Sequence, residues 1–198
     1  MNNVKEGNDL NKARRIALAL LKKISASKKY LPTFGYSKGF GYPFIEINSL
    51  GYNYVVNDRG TEVKRITVGD IEELMYYVFF DISFQMAIEY ELNNRERNTD
   101  SRRKIFRKQE ELLGLLNIEW KNRAESYHNL VLEDHPFDDY AGRRAEKCQL
   151  LKEKGFSEEE SWELACKEFP LEIARGQVES APSEAGADHP VKVRGRQS

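Results

Sequence analysis

Apolar residues recur at three-to-four spacing through Ala13, Ile16, Ala17, Leu20, Leu21 and Ile24, which predicts a first helix with one apolar and one basic face. Asn8 or Asp9 stands where a cap is expected. Between residues 25 and 41 the period dissolves among Ser, Lys, Pro and Gly. Tyr30, Phe34, Tyr36, Phe40 and Tyr42 nevertheless make this region too apolar to lie wholly in solvent, so an ordered loop is expected. Three short runs rich in aromatic and β-branched residues follow, at 44–48, 52–57 and 62–68, and predict an antiparallel meander. Its second connection, Asn57-Asp58-Arg59-Gly60, reads as a type I turn ending in a left-handed glycine with a bulge, which sets Arg59 at an exposed tip.

Asp70 with Glu73 makes an Asp version of the capping box, and Ile71, Leu74, Met75, Val78, Ile82 and Met86 then trace a helical stripe. Tyr76, Tyr77, Phe79, Phe80, Phe84 and Ile88 fill the remaining faces, so this helix is expected at the centre of the core. Further helices are predicted over 100–116, over 119–132, from Asp138 or Asp139 to 154, and from the Ser157/Glu160 capping box to Pro170. Beyond residue 174 Ser, Pro, Gly, Ala and charge alternate without period, the pattern of a disordered tail. The expected fold is α+β: an N-terminal helix, a small three-stranded antiparallel sheet, a bundle of about five helices, one domain over 1–173 and a tail over 174–198.

Composition narrows the class. The chain has 198 residues, 40% of them hydrophobic, with ten Tyr and ten Phe. A chain of that size buries about 70% of its unfolded surface and needs neither disulfides nor a structural metal. With 31 basic and 32 acidic residues the net charge is −1, which removes any global argument for nucleic acid or an anionic membrane as partner. The apolar patch 16–21 is short and flanked by Arg14, Arg15, Lys22 and Lys23, so neither a signal peptide nor a membrane span is expected, and a cytoplasmic location is. Cys148 and Cys166 show no metal-ligand spacing and fit a reducing compartment.

Candidate chemistry is sparse. His135, Asp138 and Asp139, with Glu133 and Asp134 before them, have the lone pairs that a divalent metal or acid–base work requires. Pro136, however, forces a turn, and Asp138 or Asp139 suits a helix start, so a turn and cap is the expected role and no metal is expected. Seven basic residues stand against two acidic ones over 95–108, a pattern expected of a solvated or ion-paired helix face. Asp81 sits alone on the apolar helix, where an unpaired carboxylate would cost several kcal/mol. Arg102 or Arg103 on the following helix is its expected partner in a structural ion pair.

Several motifs run in a recognisable order: Asp58-Arg59-Gly60, the aromatic helix with Asp81, Met86-Ala87 and Tyr90-Glu91, Asp100-Ser101-Arg102-Arg103 with Phe106 and Gln109, Trp120, and His135-Pro136-Phe137-Asp138-Asp139. Over about residues 40–140 the series resembles the immunity protein 63 family of bacterial polymorphic toxin systems. The resemblance implies an α+β protein without catalysis or cofactor that neutralises a toxin domain by binding it in the cytoplasm. Neither nucleic acid, membrane nor small-molecule substrate is an expected partner. Asp58 and Arg59, at the hairpin tip, are the candidate partner contacts. The competing reading is a metal-assisted hydrolase or nucleic-acid-acting enzyme built on His135 with Asp138 or Asp139.

Overall fold

A computed structural model describes residues 2–171, to which all structural statements refer; the tail expected over 174–198 lies outside them. Helix α1 (Asn2–Lys23) is followed by a 3-10 turn (Lys28–Tyr30), strands β1 (Thr33–Phe34), β2 (Pro43–Asn48), β3 (Gly51–Asp58) and β4 (Thr61–Val68), then helices α2 (Ile71–Asn93), α3 (Ser101–Gly114), α4 (Ile118–Asp134), α5 (Ala141–Glu153) and α6 (Glu158–Glu168). The α+β class is as expected. The sheet has four strands instead of three, in the order β1-β2-β3-β4. The added β1 runs parallel to β2, pairing Thr33 with Phe44 and Phe34 with Ile45, and two residues are too few to show a period of their own. The aromatic loop is indeed tied down, with the Tyr42 hydroxyl donating to the carbonyl oxygens of Leu31 at 2.8 Å and Lys29 at 3.0 Å. Helix α1 starts ahead of Asn8, so neither Asn8 nor Asp9 caps it.

Alternation along the strands determines where the core lies. Ile45 and Tyr54, cross-strand partners on one face of the sheet, are buried together against Ala13, Ala17 and Leu21 of α1 and Leu74, Val78 and Ile82 of α2. The sheet's tight β2–β3 turn requires glycine at Gly51, where φ is +123° and a Cβ would lie 2.3 Å from the Val68 carbonyl oxygen. Because α2 is apolar on nearly every side, it also serves α3 and α4, burying Phe79 against Trp120 with ring centroids 6.3 Å apart. Caps place the helix starts: Asp70, Asp100 and Asn117 each accept a backbone N–H of the following turn, and Ser157 with Glu160 completes a capping box. Helices α5 and α6 form a hairpin that packs chiefly on itself.

Candidate functional site

The β3–β4 hairpin ends in a two-residue turn with both central residues left-handed, Arg59 at φ +48° and Gly60 at φ +81°. That is the type I′ pattern, whose twist matches the flanking strands, so the expected type I turn with a bulge at the glycine is corrected. The irregularity lies instead between Val56 and Asn57, where Val63 of β4 is left without a partner across the ladder. An arginine in this region carries a steric penalty that Gly or Asn avoids. Arg59 is exposed and makes no ion pair among the described residues. The nearby Glu62 is taken by Arg65, at 2.8 and 2.6 Å, which holds its carboxyl below the usual range and also reaches Glu46 at 2.6 Å. Asp58 closes the strand pair with Thr61.

Asp81 does not pair with Arg102 or Arg103. Its Oδ2 accepts the Tyr54 hydroxyl at 2.7 Å and the Lys64 ammonium at 3.3 Å. The reason is helical geometry: one residue along α2 turns a side chain by about 100°. Phe80 accepts at its carbonyl from Gln109 of α3, while Asp81 faces the edge of the sheet. Burial and the adjacent carboxylate push the Tyr54 hydroxyl pKa far up, so it remains a donor.

Arg102 and Arg103 serve another purpose, joining two of the resemblance motifs. Arg102 donates to the Asp100 carboxylate and to the carbonyl oxygens of His135 and Pro136, at 2.8 and 2.7 Å. Arg103 forks onto Asp139, whose Oδ1 also accepts the Asp100 N–H, while Asp100 accepts the Asp138 N–H at 2.9 Å. Asp138 in turn receives both terminal nitrogens of Arg144, a guanidinium only 1% exposed. Burial pushes the Asp100 carboxyl up, but Arg102 and the two backbone N–H groups outweigh it and hold it below its ordinary value. His135 instead ends the preceding helix, its N–H bonding the Val131 carbonyl at the C-terminus of α4. Asp138 and Asp139 do not cap α5, which begins at Ala141 with no side-chain cap. Arg103 takes Asp139, while Asp138, paired with Arg144, also accepts the Tyr140 N–H at 3.1 Å in the turn that leads into α5. Among the described residues no group of three or more His, Cys, Asp and Glu side chains stands together to hold a metal ion.

Two further polar features stand on α3 and α4, of which the buried His128 carried little sequence signal. His128, 2% exposed on α4, stacks on Phe106 with ring centroids 4.0 Å apart. Gln109 donates from Nε2 to the Phe80 carbonyl, which turns its Oε1 to His128 Nε2 at 2.9 Å and requires that nitrogen to carry hydrogen. Nδ1 meets a Glu110 carboxyl oxygen at 2.6 Å. The basic run 95–108 borders an open cleft of about 560 Å³ between the end of α2 and the face of α3. Its charges are largely spent within the chain, with Arg95 on Glu91, Lys104 on Glu96, Lys108 on Glu111 and Arg103 on Asp139, as expected for an ion-paired face.

The described chain therefore offers a rigid surface with one strained, uncommitted arginine, and polar clusters that hold elements together. No curated protein and no solved structure matches it. The β3–β4 hairpin, α2, α3 and most of α4 do carry a family signature: residues 48–129 match the sequence model of the immunity protein 63 family, the same family that the motifs resemble.

Proposed function

We propose that this protein neutralises a toxin domain of a bacterial polymorphic toxin system by binding it in the cytoplasm, and that it does so without catalysis, metal or cofactor. The observation that carries the reading is the immunity protein 63 match over 48–129, a segment containing the hairpin that presents Arg59. Occlusion asks for a rigid complementary surface, and the tip fits that demand. Its turn is set by Gly60, its neighbour Glu62 is occupied by Arg65, and Arg59 makes no ion pair among the described residues. A guanidinium held on such a scaffold loses little entropy when it meets a partner carboxylate.

The test is titration calorimetry of the purified chain against the toxin domain encoded beside it. One-to-one binding with a submicromolar Kd is expected. Arg59→Ala should weaken it by more than tenfold, about 1.4 kcal/mol, with an unchanged melting temperature. Absence of binding at micromolar concentration would contradict the immunity reading, and an unchanged Arg59→Ala affinity would remove the tip from the interface.

A further inference from the structure

The α5–α6 hairpin stands apart from the rest of the chain in three ways. It packs chiefly on itself, it lies outside the segment 48–129 that matches the family, and it leaves a tryptophan half uncovered. Trp162 is 49% exposed and walls an open groove of about 440 Å³ whose other lining is Ala145, Cys148, Gln149, Lys152 and Glu158. A half-exposed tryptophan beside a recess is the kind of anchor that dominates binding energy when a partner covers it.

The charge around the groove says what that partner carries. Glu159 lies three residues before Trp162 and four before Glu163, so the three share one stretch of the α6 surface. Glu158 is neutralised by Lys152 at 2.6 Å and Glu160 is occupied in the capping box, whereas Glu159 and Glu163 make no ion pair among the described residues. Over 153–163 five glutamates stand against Lys154. A partner placing Lys or Arg opposite these acids gains both encounter rate and register.

The hairpin is also held in shape before any partner arrives. Arg144 clamps Asp138 and donates to the Phe169 carbonyl at 3.3 Å, Lys147 pairs with Glu168, and Gly155 at φ +93° closes α5 with the Phe156 N–H on the Leu151 carbonyl. We propose that this groove receives a segment of the toxin domain with an apolar side chain flanked by Lys or Arg, and that the hairpin is where this chain selects its own partner. The proposal rests on the toxin-binding reading above and adds the surface and the chemistry of the partner.

The experiment compares four full-length chains, the parent, Trp162→Ala, the double reversal Glu159→Lys with Glu163→Lys, and Arg59→Ala, against the toxin domain encoded beside this chain at two salt concentrations. Trp162→Ala should lose at least tenfold in affinity. The double reversal should lose as much at low salt and less at high salt, because its effect is screened, with melting temperatures held within about two degrees of the parent. The double reversal lies on exposed positions and keeps the test decisive if Trp162→Ala unfolds. If the parent binds while both hairpin variants stay within twofold of it, the groove is not the selecting surface and the proposal falls alone. If the parent does not bind, the immunity reading falls and this proposal with it. Self-association of the parent that Trp162→Ala abolishes would assign the groove to a second copy and overturn the proposal as stated.

Discussion

At the scale of single residues, Arg59 sits where stability alone would not put it, and Asp81 sits where a carboxylate needs a partner. Arg59 occupies a left-handed position that glycine fills without strain, so Arg59→Gly should leave the hairpin as stable or stabilise it by about 0.5 kcal/mol while weakening toxin binding. Chemical denaturation beside calorimetry reads both effects, and equal losses of stability and affinity would reduce Arg59 to a structural residue. Asp81 is the acceptor of an almost fully buried tyrosine hydroxyl. Asp81→Leu leaves that hydroxyl without a partner and should cost about 2 kcal/mol in a urea titration, while Asp81→Asn, which keeps an acceptor, should cost less than half of that. A loss below about 0.5 kcal/mol for the leucine variant would show that the Tyr54 hydroxyl is satisfied elsewhere. That Asp81 needs a partner was legible in its apolar surroundings. Which partner was not, because the choice between Lys64 on a strand and the arginines of α3 depends on how far α2 is rotated. Arg144 and His128 were illegible for a related reason: on a helix with a weak stripe both read as surface residues, and only the docking of other elements buries them.

At the scale of elements, the sequence pattern located the start of α2 and the strands β2 to β4 within a residue or two, because their apolar positions and turn residues agree. What holds α5 and α6 to the body is ionic and therefore invisible to periodicity. The turn 135–139 is locked to the start of α3 by Asp100, Arg102, Arg103 and Asp139, and the hairpin is locked to the turn by Arg144 on Asp138. Arg144→Met would leave Asp138 without its main partner, and a loss of about 3 kcal/mol is expected by denaturant titration. The same joint should respond to acid. Asp139, beside Arg103, and Asp100 have carboxyls held below their ordinary 3.8, so they bind protons more weakly folded than unfolded. Their contribution is complete above that ordinary value and is lost as pH falls through the lower folded value. The melting temperature should thus drop below about pH 4. Asp100→Asn, less stable at neutral pH, should converge on the parent there. A constant gap between the two down to pH 2 would show that the Asp100 charge does not support the joint.

At the scale of the whole molecule, the near-neutral chain divides its charge unevenly, basic over 95–108 and acidic over 153–163. The basic run is mostly consumed by internal pairs, while Glu159 and Glu163 make no ion pair among the described residues, so the α5–α6 hairpin presents acidic charge that would attract a positively charged partner. Among the described residues no helix is long and apolar enough to cross a membrane. A binder and an enzyme differ in how much of each is needed, since a binder acts only while it covers its target. The most direct measurement of the proposed neutralisation is therefore the activity of a candidate polymorphic-toxin domain, titrated with increasing amounts of the purified protein. Toxin activity should fall linearly and vanish at a one-to-one ratio, and the toxin should regain activity once the complex is separated. Inactivation at a small fraction of the toxin concentration would mean turnover, and undiminished activity at excess would mean no neutralisation; either result contradicts the account.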